Sequence, residues 1–150
     1  MTSWLAAIRP DDLNLPLFVH VLGAMLLVGS VLAAAGALLT PAGEGDPAGL
    51  RRFAFRTLLI AGLPSYILMR IGAEWLYSKE FGDTDDDPAW IGIGYITADI
   101  GAVLFLIALI CAGVASAKSK DRLGKASGVI IAIALVGWLV AVWAMGAKPS

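Results

Sequence analysis

Four apolar runs, Leu15 to Leu39, Thr57 to Tyr77, Trp90 to Ala115 and Ser127 to Met145, occupy most of this 150-residue chain. Coiled as helices rising about 1.5 Å per residue, each is long enough to cross the roughly 30 Å of hydrocarbon in a bilayer. A helix closes its own backbone hydrogen bonds, which lipid cannot satisfy. The expected fold is therefore all-α, an integral membrane up-down-up-down four-helix bundle forming a single transmembrane domain over 1–150. An acidic connection at about 79–88 joins the second helix to the third.

Composition points the same way, since 59% of the residues are apolar and only 15% charged. The mean hydropathy of +0.81 is high for a water-soluble domain. The partner this implies is the lipid bilayer. The net charge of -1, with basic residues confined mostly to the ends of the runs, argues against a nucleic-acid partner. Cys111 is the only cysteine, so an intrachain disulfide or CxxC centre is excluded and a packing role is expected. The first run has no positive flank of the signal-peptide kind, because Arg9 is accompanied by Asp11 and Asp12. It is read as a retained helix.

Basic residues in short connections stay on the cytoplasmic side. Arg51, Arg52, Arg56, Lys118, Lys120, Arg122 and Lys125 cluster at one end of the bundle, against Arg9, Lys79 and Lys148 at the other. Both termini are thus expected to be extracytoplasmic, together with the acidic connection holding Glu80, Asp83, Asp85, Asp86 and Asp87. That carboxylate run lacks calcium-loop spacing and reads as a solvated loop. Pro41, Gly43, Gly45, Pro47 and Gly49 mark the first connection as a flexible turn, and Asp87 with Pro88 suits the start of the third helix.

Small residues recur every four positions at Gly29, Ala33 and Ala37, at Gly94, Ala98 and Ala102, and at Gly137 and Ala141. Such spacing lets helix backbones approach closely. Packing within the chain is the simpler use, and a homo-oligomer through these faces is the alternative. Trp4, Trp75, Trp90, Trp143 and Tyr77 read as interfacial anchors, whereas Trp138 lies deeper.

Ionisable groups inside such runs are expensive and mark function. His20, Arg70, Glu74 and Asp99 all fall in the half nearer the termini. On the second helix Tyr66, Arg70, Glu74 and Tyr77 form one stripe, and Tyr95 with Asp99 forms another on the third. The stripes are expected to face the interior and each other, with Arg70 holding Asp99 or Glu74. Pro64 should kink the second helix below them and open space. The candidate site is therefore His20, Tyr66, Arg70, Glu74, Tyr95 and Asp99, lining a cavity that binds or passes a small polar ligand, an anion or protons. Two alternatives stand beside it. The cluster can fix helix register in a structural or accessory subunit, or the chain can be a haem- or copper-binding redox protein. His20 is the only candidate metal ligand, and an axial role on haem b would need Met69, Met145 or a second subunit opposite it. No Ser/His/Asp order, HExxH or phosphate-binding glycine loop is present, and a non-enzyme is favoured.

The segments HVLGAMLLVG (His20 to Gly29), GLPSYILMRIGAE (Gly62 to Glu74) and WAMGAKP (Trp143 to Pro149) resemble a bacterial family of small, uncharacterised membrane proteins with four transmembrane helices. The resemblance covers most of the chain, implies a bacterial plasma membrane and supplies no catalytic residues. A looser similarity, His20 followed by Gly23, runs to copper-resistance and haem-handling membrane proteins. Those proteins carry further histidines.

Overall fold

The computed structural model describes residues 11–41, 43–82 and 89–147. They form four long helices and no strands: α1 Asn14–Leu39, α2 Pro47–Glu80, α3 Ala89–Lys118 and α4 Asp121–Ala147. Each is long and apolar enough to span a membrane. The chain is an all-α, multi-pass four-helix bundle. Trp4, Arg9, Asp83, Asp85 to Pro88 and Lys148 lie outside the described residues.

The first connection differs from its reading as a flexible turn reaching into the arginines. Helix α1 ends at Leu39 and α2 begins at Pro47, with Gly43 and Gly45 at positive φ between them. Helix α2 starts at Pro47, because the Asp46 carboxylate accepts from the Ala48 and Gly49 amides at 3.0 and 2.9 Å. Proline in the first turn loses no helical hydrogen bond. The pairing of Asp46 with Pro47 is the signal that glycine content obscured. Arg51, Arg52 and Arg56 therefore sit on a helix. Arg51 is buried and ion-paired to Asp121 at the start of α4.

Pro64 is absorbed without ending α2. A π turn over Leu58–Gly62 precedes it, in which the Leu63 amide reaches back five residues to the Leu58 carbonyl. The wider turn makes room for a ring that would otherwise meet the carbonyl of Ile60.

Helices α3 and α4 are joined by only Ser119 and Lys120, with Ser119 in the left-handed region at φ 51°. They form the most closely packed pair, α1 packs on α2 and α4, and the inner part of α2 reaches α3. The core is continuous from Leu27, Val31 and Ala34 of α1 to Leu58 of α2, Phe105 and Ala108 of α3, and Ile131 and Trp138 of α4. Ser127 donates to the Ala108 carbonyl across the α3–α4 interface at 2.7 Å. In lipid such contacts depend on close packing and polar bonds, since hydrocarbon offers little gain from apolar burial.

Two glycines set the closest approach. A Cβ on Gly23 would overlap the Met69 backbone, and one on Gly72 would overlap the His20 backbone. Gly94 and Ala98 are buried, while Ala102 is only half-buried. The α1 stripe does not follow the intrachain packing expected of it. Gly29 and Ala33 are exposed, with open space around Gly29, because the buried face of α1 runs through Val31, Ala34 and Leu38 instead. Trp75 and Trp143 project outward, while Trp138 is core at 5% exposure.

Candidate functional site

The Gly23 and Gly72 contacts draw α2 onto α1, and this fixes His20. Its Nδ1 lies 3.0 Å from the Met69 carbonyl. A carbonyl oxygen only accepts, so Nδ1 carries a proton and donates it to Met69, which leaves Nε2 as the nitrogen free to face the cavity.

The opposite side of α2 is open. Its half beyond the π turn makes little backbone contact with α3, and long side chains bridge the seam instead. Tyr66 donates to the Ala98 carbonyl at 3.4 Å, and the Tyr95 hydroxyl donates to Glu74 at 3.1 Å. Arg70 lies 3.1 Å from Glu74 and 3.6 Å from Asp99, with its guanidinium 5.0 Å from the centre of the Tyr95 ring. The two stripes meet, and Arg70 holds both carboxylates. They do not turn wholly inward, however. The Glu74 and Asp99 side chains are 52% and 67% exposed against 26% for Arg70, so the carboxylates stand on the flank of the bundle and the guanidinium lies beneath them.

Behind the seam a partly open cavity of about 280 Å³ lies between all four helices. This is near the lower bound of roughly 300 Å³ for small-molecule pockets. Of the candidate residues, His20, Arg70 and Tyr95 line it; Tyr66, Glu74 and Asp99 do not. Much of the wall is apolar, including Leu17, Ala24, Leu27, Met69, Ala73 and Trp138. Tyr77, Glu80, Phe81 and Trp90 line the end where α2 stops and α3 starts. Tyr77 lies on the α2 stripe that spacing turned inward, whereas Trp90, read as an interfacial anchor, also lines the cavity, which spacing alone could not show.

Chemically, such a cavity can hold a small apolar body and offer it a few polar contacts. Among the described residues no three His, Cys, Asp or Glu side chains gather as a metal site. Arg70 is already met by two carboxylates, so it offers little net positive charge to an anion. No known protein family matches the chain, nor does any curated protein or solved structure.

Proposed function

We propose that this chain is a multi-pass protein of the bacterial plasma membrane whose cavity binds a small molecule with an apolar body and one polar end. The observation that carries this reading is the 280 Å³ void, apolar over much of its wall, with His20 and Arg70 exposed to it. The excess of basic residues at the Leu39 and Lys118 end supports an orientation with that end in the cytoplasm and both termini outside. The resemblance of three segments to a bacterial membrane family supports the compartment.

A brominated aromatic tests the reading, because bromine quenches indole fluorescence on contact and Trp138 and Trp90 both line the cavity. In dodecyl maltoside, 4-bromoneopentylbenzene should quench the protein saturably. Ala73→Phe, which puts a ring into the void without adding an indole, should abolish that quenching while helicity is kept. Quenching that never saturates, or that Ala73→Phe leaves unchanged, would return the polar cluster to fixing helix register in a structural or accessory subunit.

One observation favours a second reading. His20 is anchored through Nδ1, which leaves Nε2 as the ligating nitrogen, and Met145 lines the same cavity. This is the donor pair of a His/Met haem. A macrocycle needs more room than the void gives, so the first reading fits the geometry better. A Soret band in the purified protein would reverse that order.

A further inference from the structure

Taking the cavity as a binding site, we infer that its ligand class is a small lipophilic cation, such as an aryl quaternary ammonium, held among aromatic rings beside an excess of carboxylates. The rings come first. Tyr77, Phe81, Trp90 and Tyr95 line the cavity together. Tyr77 stacks on Phe81 at 5.8 Å and meets Tyr95 edge-on at 5.9 Å, and Phe81 meets Trp90 edge-on at 6.0 Å. Anchoring aromatics point outward among headgroups, as Trp75 and Trp143 do at 39% and 61% exposure. These four are only half-exposed and border a void. Ring faces are negative, and several rings around one space form the usual cage for a quaternary ammonium.

Charge selects the same ligand. Arg70 and the imidazole of His20 are the basic side chains on the cavity wall, and Glu74 and Asp99 both meet the Arg70 guanidinium. Glu80 adds a carboxylate to the lining, while Lys79 lies 3.6 Å from Asp12. Among the described residues at this end, the carboxylates Asp12, Glu74, Glu80 and Asp99 accompany the cations Arg70 and Lys79. An anionic ligand would meet that excess, whereas a cation would relieve it, and a membrane-embedded site screens such differences less than water does. That a cation suits these rings is already visible in Arg70, seated 5.0 Å from the Tyr95 centroid.

Three probes of one shape class separate charge from fit: 4-bromobenzyltrimethylammonium, its neutral isostere 4-bromoneopentylbenzene, and 4-bromophenylacetate. Their half-saturation concentrations for indole quenching are compared in dodecyl maltoside, whose uncharged micelle favours neither ion. The cation should bind about tenfold more tightly than the neutral isostere, in line with a cation seated over rings near carboxylates. The acetate should bind most weakly. Glu74→Gln with Glu80→Gln should reduce the preference to about threefold, with helicity by circular dichroism showing that the bundle is kept. Equal binding of cation and isostere, both lost in Ala73→Phe, would overturn the cation class and leave the cavity reading intact. Tighter binding of the acetate, or a preference undiminished by the double substitution, would also overturn it. Failure of all three probes to quench saturably would overturn both readings.

Discussion

Gly72 of α2 lies against the backbone of His20 on α1, so closely that a methyl group on Gly72 would overlap the His20 amide nitrogen and Cα. Gly23 repeats the contact one turn away against Met69, whose carbonyl receives the His20 Nδ1 hydrogen. Backbone contact here and side-chain bridging at the α2–α3 seam together leave the cavity open on one side of α2. The position of His20 is thus a consequence of two glycines.

Gly72→Ala should force α1 and α2 apart, at the roughly 1 to 3 kcal/mol typical of an added methyl in a tight contact. It should also break the His20 to Met69 hydrogen bond. Thermal unfolding in detergent measures the first effect, and the imidazole nitrogen shifts of His20 measure the second. A variant as stable as the parent, with those shifts unmoved, would show that the two backbones are not in contact.

Arg70 serves two carboxylates, and this makes its removal unlike theirs. Arg70→Ala leaves Glu74 and Asp99 side by side without a cation, at about 3 kcal/mol or more for uncompensated charge at membrane depth. Glu74→Gln or Asp99→Asn alone leaves Arg70 one partner and should cost about 1 kcal/mol or less. Unfolding midpoints of the three variants decide the matter. Equal losses would mean that the cluster is not shared in this way.

Trp138 packs its indole edge on Gly101, where a Cβ would collide with Nε1, and its buried N–H has no hydrogen-bond partner among the described residues. Gly101→Ala should destabilise the bundle by about 1 to 3 kcal/mol. In that background Trp138→Phe should recover part of the loss, because the smaller ring gives way and an orphaned donor disappears. A double-mutant cycle measures the coupling, and strict additivity would rule out the contact.

Topology has its own check. Reporter fusions at Ser119 should behave as cytoplasmic and those at Ser150 as exported, following the distribution of lysine and arginine. The reverse pattern would place the cavity on the cytoplasmic side.

The hydrophobic runs determined the four helices, because their length and composition leave lipid as the only consistent solvent and helices as the structure that satisfies the backbone there. Helical spacing also determined that Arg70 and Glu74 share a face, and the cost of lone charges in lipid brought Asp99 to them. What spacing could not determine was distance between helices. That was decided at Gly23 and Gly72, where the absence of two side chains lets α1 and α2 touch, and at the α2–α3 seam, where they do not. Only the packing likewise showed that Glu74 and Asp99 remain on the flank of the bundle, that Trp90 lines a void instead of simply anchoring the interface, and that Gly29 with Ala33 faces outward. A periodic stripe states which residues share a face; only the packing of all four helices decides what that face meets.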